Sequence, residues 1–343
     1  MRNLFFLFAF IISSALIAGD TIRVVGVGDI MIGTNFPGKE HLPPNDGKDI
    51  FDPVKSYLQN ADVTFGNCEG TFLDSGGALK KCSDPKKCYA FRQPTRYAGY
   101  LVDAGFDVVS VANNHVGDFG EEGRVSTTNT LRNAGLHFAG LLYQPSVKFE
   151  KNGVKYGFCA FAPNTGTVDI RDIPGAKAIV QELDSTCDIV IVSFHGGAEG
   201  ATKNHVTRET ELFLGENRGN VHAFSHAVID AGADIVFGHG PHVPRAIELY
   251  KDRFIAYSMG NFCTYSRFNL RGNGGYAPIV IVDVDSTGKF MSGKIIPIVQ
   301  LGEGGPTIDP NKQAIFEMQR LTKEDFPETP IIVSDEGDIR RKQ

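Results

Sequence analysis

Residues 107–118 read DVVSVANNHVGD, and this stretch decides the fold class. Its first half is apolar and rich in valine, which is typical of a buried strand. The strand ends in Asn113, Asn114 and His115, and a helix ended by Gly135 is predicted over residues 121–133. A buried strand, a polar loop and a helix, in this order, form the repeating unit of α/β proteins.

The same unit recurs along the chain. Further strands that end in loops with Asp, Asn, Glu or His are predicted at residues 22–27, 62–65, 189–194 and 235–237. Two hairpins are also predicted, one over residues 147–161 that turns at Asn152-Gly153, and one over residues 246–258. No linker separates these motifs, so the sequence predicts a single α/β domain.

Five strand-end loops carry the candidate functional residues. They contain Asp29; Asn67 and Glu69; Asn114, His115 and Asp118; His195 and Glu199; and His239 and His242. Taken singly, such residues are ordinary, since an Asp after a strand usually caps a helix or belongs to a turn. Parallel strands, however, deliver their carboxyl ends to one edge of a sheet, so five such loops are expected to build one site.

The chemistry of this set predicts a metal centre. Carboxylate, amide and imidazole groups without thiolate suit Zn, Mn or Fe, and either one or two ions are compatible with the number of groups. Two close ions would activate a water molecule and stabilise charge on the substrate oxygens. A nearby histidine would protonate the leaving group.

Several residues have two open interpretations. Glu199 either orients His195 or acts as a base, or it is a solvated loop carboxylate. Asp118 either orients His115 or caps the following helix, and capping is the interpretation that the sequence favours. His222 and His226 have the i, i+4 spacing of a metal pair, but their apolar neighbours indicate an ordinary amphipathic helix.

Four arginines could bind an anionic ligand, although solvation at the surface is the favoured interpretation for each of them. They are Arg92, Arg96, Arg245 and Arg267.

Six motifs occur in the order found in the CapA-type capsule-synthesis proteins. They are GDIM (28–31), GNCEG (66–70), ANNHVGD (112–118), SFHGGAE (193–199), GHGPHV (238–243) and YSMGNF (257–262). Over residues 22–285 the chain resembles this family, which is associated with poly-γ-glutamate and belongs to the metallophosphoesterase-like superfamily. The resemblance implies a four-layer αββα sandwich with a metal site on one rim.

The resemblance also implies a role for each candidate residue. Asp29 and His242 correspond to ligands of the first metal, and Glu69 takes the place of a bridging aspartate. Three residues correspond to ligands of the second metal, namely Asn114, His195 and His239. His115 resembles the general acid. Asp118 and Glu199 are further catalytic candidates from their positions beside His115 and His195 in the sequence, not from the resemblance.

Two positions depart from the superfamily pattern. The first motif is Asp-x-His in the superfamily, but Met31 stands at the histidine position here. A thioether is a poor ligand for a hard cation, so the first metal site lacks one imidazole. Glu69 replaces an aspartate, and its longer side chain would change the bridge. One metal, two metals, or a site that binds without turnover all remain open.

The N-terminal residues indicate export. Residues 1–19 are interpreted as a signal peptide, with Arg2, an apolar run over residues 4–17, and cleavage near Ala18 or Gly19. An uncleaved anchor is the alternative, which would tether a periplasmic or extracellular protein to the membrane. Residues 20–322 form the predicted domain, and the charged residues 323–343 are expected to be a loosely packed tail.

Charge and cysteine content agree with an exported protein. The net charge of −6, without a basic tract, does not suit a general nucleic-acid binder. Six cysteines fit an oxidising compartment, and the turn residues between Cys82 and Cys88 favour a disulfide between them. The other four are either buried thiols or two further bridges.

The resemblance implies one of two functions. The first is a metal-dependent hydrolase that acts on an anionic capsular polymer, poly-γ-glutamate, in its synthesis, release or export. The alternative is a non-catalytic subunit that binds the polymer and assists a membrane synthase or export complex. Met31 favours the second, because it leaves the first metal site incomplete.

Overall fold

The structure is a computed structural model that describes residues 21–82 and 89–342. The predicted signal peptide over residues 1–19 lies outside these residues. Within the described residues the helices are α1 (Lys55–Gln59), α2 (Tyr97–Ala104), α3 (Gly120–Ala134), α4 (Ile173–Asp184), α5 (Val221–Asp230) and α6 (Gln313–Asp325). The strands are β1 (Ile22–Met31), β2 (Val63–Cys68), β3 (Thr71–Phe72), β4 (Arg92–Gln93), β5 (Val108–Ser110), β6 (His137–Ala139), β7 (Ser146–Lys151), β8 (Val154–Phe161), β9 (Ile189–His195), β10 (Leu212–Phe213), β11 (Glu216–Asn217), β12 (Ile235–His239), β13 (Ile247–Tyr250), β14 (Arg253–Ala256), β15 (Asn261–Thr264), β16 (Tyr276–Val284), β17 (Phe290–Gln300), β18 (Pro306–Ile308), β19 (Ile331–Val333) and β20 (Asp338–Arg341).

Two sheets form the framework. The first has the strand order β19-β20-β17-β16-β1-β2-β5-β6, with β15 beside the end of β1 and β18 beside β17. In it β1, β2, β5 and β6 run parallel, while β16 and β17 are antiparallel to their neighbours. The second sheet has the order β13-β14-β12-β9-β8-β7, and its central strands are parallel.

The strands are apolar on both sides, so one side of each sheet packs against the other sheet and the opposite side packs against helices. In β1, Val24 lies in the core between the sheets, and the next residue, Val25, lies in the core beneath α2 and α3. Phe65 of the first sheet stacks on Phe237 of the second with ring centroids 5.4 Å apart. A third core joins the second sheet to α4 and α5, and it includes Phe224. The layers are therefore helices, sheet, sheet and helices, which confirms the predicted αββα sandwich.

The predicted hairpins and helix ends are confirmed. Strands β7 and β8 pair antiparallel around Asn152 and Gly153, whose φ angles of 54° and 79° are those of a tight hairpin turn. Strands β13 and β14 form the second hairpin. Gly135 ends α3 with φ 83°, where a side chain would be strained.

The expectation of a loosely packed tail is wrong. α6 continues to Asp325, and β19 and β20 add two strands to the edge of the first sheet. Ile331, Val333 and Ile339 are buried in the core between the sheets. An edge strand buries only every second side chain, so its many charged residues do not prevent it from packing.

Cys68, Cys159, Cys187 and Cys263 are free thiols, and of the two alternatives for these four the further bridges are therefore wrong. Cys88 lies outside the described residues, and its disulfide with Cys82 therefore stays a prediction. No helix in the described ranges is long and apolar enough to cross a membrane.

Candidate metal centre

The candidate loops meet at one rim, between the two sheets. In the first sheet, Asp29 at the end of β1 is aligned with Asn67 on β2 and with Asn261 on β15. In the second sheet, His239 at the end of β12 is aligned with His195 at the end of β9. The parallel register thus aligns side chains from three strands of the first sheet and from two strands of the second, near the strand ends as the sequence predicted.

Asp29 joins the two sheets. Its carboxylate is fully buried, and Oδ1 accepts a hydrogen bond of 2.8 Å from the Asn67 side chain. The Nδ1 atoms of His239 and His242 lie 3.2 and 2.9 Å from Oδ1 and Oδ2, respectively. Burial raises the pKa of Asp29, but these two histidines outweigh it and hold the pKa well below its usual range. Asp29 is therefore a carboxylate that orients two imidazoles, and its role as a metal ligand stays a prediction.

Glu69 is the group that most needs a cation. It is fully buried, and neither of its oxygens has a hydrogen bond. Oε1 lies 3.4 Å from Nε2 of His195, 3.5 Å from Nε2 of His242 and 4.0 Å from Nε2 of His115. Burial, together with the charge of Asp29, raises the pKa of Glu69 well above its ordinary value. A buried carboxylate without donors is costly unless a cation or a proton neutralises it.

Other buried polar atoms in the centre also lack partners. They are Asn114 Oδ1, His195 Nε2 and His239 Nε2. All are acceptor atoms or imidazole nitrogens, which are the groups that bind Zn, Mn or Fe. One ligand atom each from Glu69, His195 and His242 lies within 4.8 Å of the others. The residues present therefore fit a divalent metal ion, which Glu69, His195 and His242 lie close enough to share.

A chain of amide groups holds the loops together. The Asn113 side chain donates to Asn67 Oδ1 at 3.1 Å and to the Cys68 carbonyl at 2.8 Å, and its Oδ1 accepts from the His115 N–H. Asn67 in turn donates to Asp29. The sequence placed Asn67 and Asn113 in the candidate loops and motifs but did not predict this linking role for either.

His115 is held by a carboxylate. Its Nδ1 lies 2.8 Å from Asp118 Oδ2, which also accepts a hydrogen bond from the Phe91 N–H, and Lys80 pairs with the other oxygen at 2.5 Å. The residue that precedes α3 is Phe119, and no side chain caps that helix. The capping interpretation of Asp118 is therefore wrong. Burial lowers the pKa of His115, which favours the neutral form of the ring. Its Nε2 faces the centre, 4.0 Å from Glu69 Oε1.

Arg218 stands between Glu199 and His195. It is 2% exposed, and its Nη2 lies 3.0 Å from Glu199 Oε1 and 3.5 Å from His195 Nδ1. Burial and the charge of Arg218 hold the pKa of His195 well below its ordinary value. Glu199 thus acts on His195 through Arg218 rather than directly. The sequence carried no signal for Arg218, which reaches the site by the return of the hairpin β10–β11.

The turn before His242 depends on glycine. Gly240 has φ 116°, and a Cβ there would lie 2.5 Å from the Gly196 carbonyl oxygen. This turn aims His242 at Asp29, and Asn261 Oδ1 lies 3.2 Å from the same ring nitrogen. Burial lowers the pKa of His242, whereas the charges of Glu69 and Asp29 raise it, with a result of about 10.

The folded chain is similar to a solved protein of Thermus thermophilus that is described as hypothetical. The two are 17% identical with a TM-score of 0.49, and the match covers 80% of this chain and 98% of the other.

Two relatives are similar in sequence. The chain is 30% identical over 267 residues to the capsule biosynthesis protein CapA of Bacillus anthracis, a match that covers 71% of this chain and 60% of the relative. It is 28% identical over 260 residues to the PGA biosynthesis protein CapA of Bacillus subtilis (strain 168), with 71% and 63% covered. The chain thus aligns with about three fifths of the length of these relatives.

The model of the family described as bacterial capsule synthesis protein PGA_cap matches residues 23–266. This range contains every candidate residue of the centre, from Asp29 to His242, so the motifs and the geometry belong to the same part of the chain. The chain is a member of this bacterial capsule synthesis family.

Proposed function

We propose that this protein is an exported, metal-dependent hydrolase that acts on poly-γ-glutamate during synthesis, release or export of a capsule. The observation that carries the proposal is Glu69, a buried carboxylate without hydrogen bonds that is surrounded by three imidazoles. The names of the two relatives support the capsular polymer as the substrate class.

The chain's own residues would perform the proton chemistry. A divalent ion held by Glu69, His195 and His242, with Asn114 and His239 beside them, would supply Lewis-acid polarisation and an activated water. His115, with Nδ1 held by Asp118, would accept a proton from the attacking water on its free Nε2 and pass that proton to the leaving group. In poly-γ-glutamate the cleaved bond would be an amide, and a phosphoester is the alternative if the substrate is not the polymer itself.

Contacts of the four arginines narrow the choice of a polymer-binding surface. Arg245 is fully buried and pairs with Glu211 at 2.8 Å, so the expectation of a solvated surface is wrong for it. Arg96 pairs with Asp46. Arg92 on β4 and Arg267 are half-buried, and the residues next to them, Phe91 and Phe268, contact the rings of His115 and His242. Although Arg92 bonds Asn35 and Arg267 bonds the Phe36 carbonyl, we assign the anionic polymer to these two arginines because of this position.

The proposed setting is periplasmic or extracellular. The apolar run over residues 4–17, with Arg2 before it, supports export by a signal that is either cleaved or retained as an anchor. A membrane synthase or export complex is the proposed partner, and nucleic acid is not.

Elemental analysis of residues 20–343 tests the metal centre. Purified protein is expected to hold Zn, Mn or Fe in near-stoichiometric amount, and the amount should fall in His239→Ala. His205→Gln is the matched control, because His205 is a half-exposed histidine paired with Asp325 on the surface. A folded wild-type protein that takes up no metal, even after reconstitution, would contradict the proposal.

One observation favours the alternative, in which the protein is a non-catalytic polymer-binding subunit. Met31 is fully buried at the end of β1, two residues after Asp29, where the first motif of the superfamily has a histidine, so this strand brings no imidazole to the centre. Restoring an imidazole by Met31→His is expected to increase metal content. If hydrolysis appears only in the variant, the native protein is the accessory subunit. If the wild type already hydrolyses the polymer, it is the enzyme.

A further inference from the structure

A second group of metal-ligating side chains lies outside the centre. His222 and His226 are one turn apart on α5, and Glu248 is on β13, so the group shares no residue with the centre. We propose that these three residues form a separate site for a borderline divalent cation such as Zn²⁺. The proposal does not depend on the hydrolase function.

The three side chains already converge. The ring centroids of His222 and His226 are 4.1 Å apart, as expected for residues at i and i+4 on one helix face. Both oxygens of Glu248 lie 3.0 Å from His226 Nε2. One ligand atom from each residue lies within 4.8 Å of the others. Two imidazoles and a carboxylate are the protein ligands of many zinc sites, which keep a further position for water.

Neighbouring aromatic residues fix the orientation of all three ligands. The Tyr257 hydroxyl donates to Glu248 Oε2 at 2.7 Å. The His226 ring stacks on Tyr250 with centroids 3.7 Å apart, and the His222 ring stacks on Phe326 at 6.0 Å. Such outer contacts hold metal ligands in place before the ion arrives, and they reduce the entropy lost on binding.

His222 is the residue that an ordinary ion pair does not explain. The contact between His226 and Glu248 would be complete without it. Within the described residues the His222 ring makes no hydrogen bond, yet it faces His226 across 4.1 Å. Burial, followed by the charge of His226, lowers the pKa of His222, which leaves a neutral imidazole with a free lone pair. Arg208 and Glu328 also act on His222, and their opposite charges form an ion pair with each other.

The site is open on one side. The side chain of His226 is 22% exposed, whereas that of Glu248 is 7% exposed, so an ion would have water within reach and protein behind it. The ion would connect α5 to β13 across the third core. Because it would bind the folded chain and not the unfolded one, it would raise the thermal stability of the second sheet.

Zn²⁺ binding to the full mature chain, measured by equilibrium dialysis with thermal melting in parallel, tests the site. The decisive variant is His222→Phe, because phenylalanine keeps the stacking on Phe326 and removes only the ligand. We expect it to bind one equivalent fewer than the wild type, or to bind that equivalent at least about 100-fold more weakly. It should also lose the corresponding rise in melting temperature, while His205→Gln behaves as the wild type does.

His239→Ala separates the new site from the centre. This variant is expected to retain the equivalent that His222→Phe loses, and the double variant should lose both. An unchanged number of equivalents and an unchanged affinity in His222→Phe would overturn the second site, whatever the centre does. Conversely, loss of metal in His239→Ala alone concerns only the centre. If His239→Ala does not fold, the comparison of the wild type with His222→Phe still shows whether the second site binds Zn²⁺.

Discussion

Two buried glutamates show how differently one protein can treat the same side chain. Glu69 at the rim between the sheets has no hydrogen bond, although three imidazoles surround it. Glu248 on β13 accepts from Tyr257 and contacts His226 through both oxygens. A buried charge without partners is costly, whereas one with hydrogen bonds is tolerated. Glu69 therefore depends on a cation or proton, while Glu248 is stable as it stands and a cation there would be optional.

The comparison predicts that hydrolysis depends on the first group, the residues around Glu69, and not on the second group, which consists of His222, His226 and Glu248. His115→Ala is expected to lower hydrolysis by about 10² to 10⁴, because the proton donor to the leaving group is lost. Metal content should be unchanged, since His115 Nε2 lies 4.0 Å from Glu69 and outside the ligand group. Turnover of the polymer and elemental analysis, measured on the same preparation, check both statements.

His222→Phe is the control for this experiment. It removes a histidine from the second group and should leave turnover unchanged. Equal turnover in His115→Ala and the wild type would remove His115 from the reaction.

The two groups should also differ in how their Zn²⁺ affinity depends on pH, because binding releases protons from only one of them. The charges of Glu69 and Asp29 raise the pKa of His242 to about 10, so His242 must lose a proton before it can bind an ion near neutral pH. The Zn²⁺ affinity of the centre is therefore expected to rise about tenfold per pH unit for each proton released, and to fall correspondingly on acidification. His222 has a lowered pKa and holds no such proton above neutrality.

Zinc titrations between about pH 7 and 8.5 check this difference. The variants His239→Ala and His222→Phe isolate one group each. The affinity of the centre should change more steeply with pH than that of the second group. Equal slopes would mean that metal binding to the centre releases no more protons than binding to the second group, and that His242 is not protonated in this pH range.

The sequence predicted the centre because polar residues interrupt apolar strands at their ends. Asp29, Glu69, Asn114, His195 and His239 each follow or end such a strand, and parallel pairing is sufficient to bring them to one rim. The four-layer arrangement came from the ordered motifs rather than from the strand pattern, since periodicity does not show how two sheets pack.

What the sequence missed depends on contacts between distant elements. Arg218 reaches His195 only because the hairpin β10–β11 turns back, and Glu211, the residue just before that hairpin, is anchored by Arg245. Asp118 has the sequence context of a helix cap, and only the position of His115 shows its other use. Similarly, the i, i+4 spacing of His222 and His226 is common on helices. Glu248, from a strand that follows later in the chain, is what makes it a candidate site.

The smallest expected effect is a change in stability. The comparison predicts that the same substitution, Glu to Gln, changes the stability in different directions at Glu69 and Glu248. Glu69→Gln removes a carboxylate that has no donors, so the stability of the protein stripped of metal should stay constant or increase at pH values where Glu69 is ionised. Glu248→Gln removes the charge that accepts from Tyr257 and His226, and should decrease stability by about 1–3 kcal/mol. Chemical unfolding of both variants in the presence of a chelator measures the two changes. Since the substitution is isosteric, volume and packing change little in either case, and the sign reports on the hydrogen bonds. A loss of stability of similar size in both variants would show that Glu69 has favourable partners of its own, and that its environment is a structural ion pair rather than a site prepared for a cation.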